Sequence, residues 1–184
     1  IDPTLSIVSS GYSNIQDYTL SCVTSVAGTV DVYVGEPEGD SELVCSGIPS
    51  AAETRNDYAL PLPQTGEMEI TVVLTPDPEQ ALGEGRELAS DRKVSAAANV
   101  VYINVYSKLS EIHVTTSGTP SGLGTKESPL NLVTAVKYVR PGQTIILAEG
   151  TYQLLEPLRI PHGIDGTAEK PIRMIADPEA KSRP

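Results

Sequence analysis

The stretch Thr29-Val-Asp-Val-Tyr-Val34 puts Val30, Val32 and Val34 on one side of an extended chain and Thr29, Asp31 and Tyr33 on the other. That two-residue alternation suits a strand with one face in a core and one in water. Working outward, similar short runs lie between turn signals at residues 4–9, 18–24, 42–46, 57–62, 67–75 and 99–106. The stretch 76–98 between the last two is of mixed polarity, with Gly83, Gly85 and the pair Arg92-Lys93, and reads as a long connection.

Seven short strands in about 100 residues predict an immunoglobulin-like or fibronectin-like antiparallel β-sandwich. The composition agrees. Phe and Trp are absent from the 184 residues, so Val, Ile, Leu, Ala and eight Tyr must build the interior, which favours β structure. Apolar residues make up 39% and charged residues 20%, too apolar for a disordered chain and too evenly interrupted for a membrane span. The net charge of −11 repels nucleic acid and anionic lipid, so neither is expected as a partner.

The charge is unevenly placed. Residues 1–107 hold 16 acids and 4 bases, whereas 108–184 hold 8 acids and 9 bases, and a domain boundary is expected near 106–110, giving domains 1–107 and 108–184. By strand alternation Cys22 shares a face with Leu20 and Cys45 with Leu43, so both thiols are expected to face the core. A disulfide between them would close a loop of about 23 residues and contribute roughly 3 kcal/mol. Two buried unpaired thiols acting as small apolar groups satisfy the pattern equally.

The second part opens with a strand over 111–115 and a Ser/Gly-rich loop over 116–125. A helix is then predicted, with Ser128 as N-cap, Pro129 at its first position, and a stripe of Leu132, Ala135, Val136 and Val139. Lys137 and Arg140 fall in its last turn before the Pro141-Gly142 stop. Three short apolar strands are expected around Ile145, Arg159 and Arg173, the last two sharing the pattern Pro157-Leu-Arg-Ile160 and Pro171-Ile-Arg-Met174. A fixed short period of strands reads as a β-solenoid. One coil cannot bury its own face, so 108–184 is expected to be a truncated piece whose open end needs a cover.

These last 77 residues carry a more specific signal in Lys126-Glu-Ser-Pro129, Arg140-Pro-Gly-Gln-Thr-Ile-Ile-Leu147, Glu149-Gly-Thr-Tyr152 and Gly166-Thr-Ala-Glu-Lys-Pro-Ile-Arg173. The region resembles the N-terminal cap and first coil of polysaccharide lyase family 9, the pectate lyases, which are secreted right-handed parallel β-helices. The resemblance implies a helix-capped β-helix start, secretion, and a parent enzyme that performs calcium-assisted β-elimination on polygalacturonate. In that chemistry a cation neutralises the C5 carboxylate and a Lys removes the adjacent proton. No residue here matches the family's base or calcium ligands, which lie on later coils. No catalytic or metal residue and no cofactor is therefore assigned to this chain, and its expected partners are the rest of the β-helix domain and acidic pectin.

Among residues that could carry chemistry, Glu36, Glu38, Asp40 and Glu42 miss the spacing of a calcium loop and read as a solvated turn, as does Asp77-Pro-Glu79. His113 and His162 have no nucleophile pattern or second His at metal spacing. Tyr18, Tyr33, Tyr58, Tyr102 and Tyr106 read as core or strand-edge packing. A polyuronate needs cations, and Arg92, Lys93, Lys108 and Lys126 are the candidates for binding it. Two functional readings follow. Either an accessory sandwich binds pectin (homogalacturonan) for a lyase, or the sandwich is a structural spacer.

Overall fold

The computed structural model describes residues 2–78, 92–160 and 164–184. The chain divides into two compact units, Ile1–Gly11 with Asp17–Val101 and Tyr12–Gln16 with Tyr102–Pro184. The chain thus leaves the first unit at Val101, a few residues before the charge-based boundary. In addition, Tyr12–Gln16, which no composition shift marks, belongs to the second unit.

The elements are β1 (Leu5–Ile7), β2 (Tyr12–Ser13), β3 (Asp17–Thr24), β4 (Gly28–Gly35), β5 (Ser41–Ser50), β6 (Arg55–Pro61), β7 (Gly66–Pro76), β8 (Val94–Tyr102), β9 (Glu111–Thr119), α1 (Leu132–Tyr138), β10 (Thr144–Leu147) and β11 (Arg173–Ala176). The chain is mostly β, with one helix among the described residues.

In the first unit, β1, β3 and β6 form one antiparallel sheet with β3 central. A second sheet carries the order β8-β7-β4-β5. The alternation in Thr29–Val34 is realised on β4, where Val30, Val32 and Val34 are buried and Thr29, Asp31 and Tyr33 half-buried. Leu20, Leu60, Ile70, Val72 and Leu74 are buried on the other strands. Each such side chain taken from water contributes about 1.5–3 kcal/mol.

The cysteines are both free. Cys22 is fully buried on β3, and burial pushes its thiol up to about 12. Cys45 is only half-buried on β5 in the other sheet. Cys45 stands opposite buried Val32, on the core side, but β5 is an edge strand and leaves it partly open. The register of β5 against β4 shifts between Val30 and Val32 and again between Val32 and Tyr33, so Leu43 stands opposite Tyr33 and does not share the face of Cys45. Those bulges disturb the alternation that sequence reasoning carried along from Leu43, which is 52% exposed. Native protein treated with maleimide is expected to label Cys45 and spare Cys22. A non-reducing mass showing a Cys22–Cys45 bridge, or equal labelling of both, would contradict this.

The second unit is built on three parallel strands in the order β11-β10-β9. Thr144 of β10 stands opposite Glu111 of β9 and Arg173 of β11, and Ile145 opposite Ile112 and Met174. The steps between equivalent positions are therefore 33 and 29 residues, not 14. Residues 151–160 form no strand, so Pro157-Leu-Arg-Ile160 does not repeat the role of Pro171-Ile-Arg-Met174. The apolar core gathers Ile112, Val114, Leu130, Ala135, Val136 and Ile145 with Tyr106 and Tyr138.

The predicted helical stripe is buried at Leu132, Ala135 and Val136, but the helix starts later than expected. Its N-cap is Asn131, whose side-chain oxygen accepts from the Thr134 N–H at 2.9 Å. Leu130 is occupied by bridges to Val114 and Thr119, so the helix cannot begin at Pro129. Ser128 instead closes the preceding loop, its carbonyl accepting from the N–H groups of Leu123 and Gly124 at 2.8 and 2.9 Å. Arg140 lies beyond the last turn and donates to the Val139 carbonyl at 2.8 Å and to the Tyr12 carbonyl.

Tyr12 and Tyr138 meet edge to face with centroids 5.4 Å apart, and Lys137 Nζ lies 4.7 Å from the Tyr12 ring centroid. Burial, with Tyr12 and Tyr106 adding to it, pushes the Tyr138 phenol up to about 12. Asn14 Nδ2 donates to the Tyr138 carbonyl at 2.6 Å and to Gln143 Oε1 at 3.0 Å. This is how Tyr12–Gln16 becomes part of the second unit.

Candidate functional site

A cleft of about 370 Å³ in the second unit is lined by Lys108, Ser110, Glu111, His113, Lys126 and Glu127, together with backbone around Gly124. Strand alternation sets its floor. Ile112 and Val114 turn into the core, so Glu111 and His113 share the opposite face of β9. The preceding turn is fixed by N–H donation from Ser107 to the Asn104 carbonyl and from Leu109 to the Tyr106 carbonyl, at 3.2 and 3.1 Å, which holds Lys108 on the rim.

The other rim is the Ser/Gly loop. The His113 N–H donates to the Gly124 carbonyl at 2.9 Å, tying the loop to β9. Gly124 has φ of +75°, and a Cβ there would lie 3.1 Å from Leu109 Cδ1, so conformation and space both favour glycine. A Cβ at Gly118 would collide with the Leu130 carbonyl, which explains why this loop can lie so close to the backbone before α1. Lys126 is carried at the loop's exposed tip.

Lys126 Nζ pairs with Glu179 Oε2 at 2.9 Å, both side chains being largely exposed. The hydrogen bond and charge of Glu179 raise the Lys126 ammonium above its ordinary value. His113 Nε2 lies 3.6 Å from Glu111 Oε2, with the His113 side chain only 16% exposed. The cleft therefore offers two ammonium groups, an imidazole and two carboxylates, a set able to pair a ligand carboxylate and hydrogen-bond hydroxyls.

Of the four cations read from the sequence, Lys108 and Lys126 come together in this cleft. Arg92 and Lys93 belong to the first unit. There Arg92 pairs with Asp2 at 3.2 Å, and the positive charge of Lys93 acts on Asp31. His162 and Glu79 lie outside the described residues. Glu36, Glu38 and Asp40 are exposed at the turn between β4 and β5, where the Gly39 N–H donates to the Glu36 carbonyl at 2.9 Å, whereas Glu42 is exposed on β5 itself, opposite Val34.

Among the described residues no group of three or more His, Cys, Asp or Glu is arranged to hold a metal ion. Sequence reasoning placed His113 on a strand but did not connect it to the lysines. The available signal was the i, i+2 pairing of Glu111 with His113 opposite Ile112 and Val114.

A larger groove of about 760 Å³ runs along α1, lined by Val133, Lys137, Leu154, Leu155, Leu158 and Arg159 among others. Its lining is mainly apolar, and Lys137 also sits over the Tyr12 ring. The smaller cleft is lined mainly by charged and polar side chains, among them Lys108, Glu111, His113, Lys126 and Glu127.

No family model matches the chain. Pectate lyase L of Thermoclostridium stercorarium is 29% identical over 181 residues, which is 98% of this chain and 14% of that protein. The chain is thus related to part of a pectate lyase and spans about one seventh of its length. Among solved structures, a CARDB domain from Pyrococcus furiosus, determined in complex with di-metal ions, is 14% identical, with a TM-score of 0.30 over 55% of this chain and 93% of that domain. Among the described residues no helix is long and apolar enough to cross a membrane.

Proposed function

We propose that this chain is a non-catalytic portion of a secreted pectate-lyase-like protein, and that it contacts acidic pectin through the Lys108–Lys126 cleft. The observation that carries the reading is the placement of these two lysines in one cleft, within a chain similar over 98% of its length to part of a pectate lyase. The first unit then serves as an immunoglobulin-like accessory sandwich. Its strand order, β1-β3-β6 in one sheet and β8-β7-β4-β5 in the other, supports that topology.

The parallel ladder of β9, β10 and β11 supports the start of a right-handed parallel β-helix. Buried Ile112 and Ile145 stack toward Met174, which is 42% exposed on a strand with no outer partner among the described residues. Further coils of the same kind would cover that end. Catalysis, with its calcium, belongs to those coils.

The favoured division of labour places glycan contact in the second unit and leaves the first as a spacer. The 16 acids and 4 bases of residues 1–107 repel polyuronate.

The test is calorimetric titration of the chain with low-methyl-esterified pectin and with a neutral glucan. Lys108→Ala combined with Lys126→Ala is expected to weaken pectin binding at least about tenfold, the loss of two charge-assisted contacts. Arg92→Ala with Lys93→Ala is expected to change it by less than about twofold. Equal affinity for the neutral glucan, or no loss in the Lys108/Lys126 variant, would overturn the reading. No unsaturated product is expected when the chain is incubated with polygalacturonate and calcium, and appreciable turnover would contradict the non-catalytic role.

A further inference from the structure

We infer that His113 makes the cleft's affinity for an acidic ligand pH-dependent, with binding strengthening as the imidazole gains its proton. This concerns the regulation of the uronate site proposed above and rests on that reading. The His113 side chain is 16% exposed and lines the same cleft as Lys108 and Lys126, so a charge on it is only partly screened there.

The groups facing it can be taken element by element. On β9 itself Glu111 Oε2 is 3.6 Å away. The turn before β9 contributes Lys108, and the loop before α1 contributes Lys126 and Glu127. On the neighbouring strand β10, the residues opposite His113 and Glu111 are Ile146 and Thr144, which bring no charge. Beyond β11, Glu179 reaches Lys126.

With a neutral imidazole, the two lysines of the lining are balanced by Glu111 and Glu127, and Glu179 draws on Lys126. Lys108 and Lys126 are then the cations that the lining offers a polyanion. Protonation adds one charge and turns His113 into a partner for the Glu111 carboxylate. Glu111 also acts electrostatically on Lys126, so neutralising it leaves that ammonium more available to a ligand. Uronate carboxylates stay ionised across the range in which a histidine titrates, about pH 5 to 8, so only the protein side of the interaction changes.

The experiment is titration of the full chain with oligogalacturonate at about pH 7.5 and about pH 5.5, beside His113→Gln, which keeps a polar side chain but cannot take up a proton in this range. The native chain is expected to bind about fivefold more tightly at the lower pH, and His113→Gln to differ by less than about 1.5-fold between them. A pH dependence of the same size in the variant would overturn the inference while leaving the cleft as the binding site. No binding by the native chain at either pH would overturn both.

A second readout uses the unaltered cleft and does not depend on the variant's folding. The His113 ring resonances, distinguished from those of His162 by His162→Gln, are followed by NMR as a function of pH. Saturating oligogalacturonate is expected to move the His113 titration midpoint upward, as linkage requires. A midpoint unmoved by saturating ligand would refute the inference.

Discussion

Gln143→Ala is expected to destabilise the second unit by about 3–5 kcal/mol, far more than a typical loss of one side-chain hydrogen bond. Gln143 is 6% exposed, and all of its polar atoms are engaged. Its Oε1 accepts from Asn14 Nδ2 and from the Arg140 N–H, both at 3.0 Å. Its Nε2 donates to the carbonyls of Tyr106 and Leu109 at 2.7 and 2.9 Å. Truncation leaves these groups facing a cavity, and each buried orphan costs about 1–3 kcal/mol.

The network joins three stretches distant in sequence: Tyr12–Gln16, the turn before β9, and the exit of α1. Denaturant unfolding followed by hydrogen exchange is expected to show lost protection across 102–147, while β3, β4 and β7 keep theirs. Unchanged protection of 102–147 would mean that the network is dispensable.

The second large effect is expected at Ile145→Ala, with a loss of about 2–5 kcal/mol. Ile145 is 1% exposed and sits between Ile112, at 0%, and Met174, at 42%. Removing it opens a void in the middle of the stacked column, where neighbours on both sides are held by the ladder. Met174→Ala, at the column's exposed end, is expected to cost less than about 1 kcal/mol. Thermal melts of both variants check the contrast. Similar costs at the two positions would show that Met174 is already packed as an interior residue.

Much of this architecture was legible in the sequence wherever a local period carried it. Each of the seven runs of the first part overlaps a strand, but the last strand starts at Val94, inside the stretch read as a connection, and ends at Tyr102, so 103–106 lie outside it. The α1 stripe was legible from its own period. The cap was not, since nothing local shows that Leu130 is committed to Val114 and Thr119.

The 14-residue spacing misled because Pro157-Leu-Arg-Ile160 and Pro171-Ile-Arg-Met174 look alike, while only Arg173–Ala176 finds a strand to pair with. Strand pairing is a tertiary event, and propensity cannot anticipate it. The role of Tyr12–Gln16 was invisible because β2 is two residues long and Asn14 meets Gln143 across 129 positions of chain. At the cleft, sequence reasoning supplied Lys108 and Lys126 as candidates on charge alone. That they meet, and that Arg92 and Lys93 do not join them in the second unit, is decided by the turn before β9 and by the loop tied down at Gly124.

The most direct test of the account is a binding footprint: amide hydrogen exchange of the whole chain with and without oligogalacturonate, read peptide by peptide. The account predicts added protection confined to 108–113 and 123–128, with the strands of the first unit unchanged. Added protection centred on β4, β5 or the Arg92–Lys93 stretch, with none around Lys108 and Lys126, would contradict it.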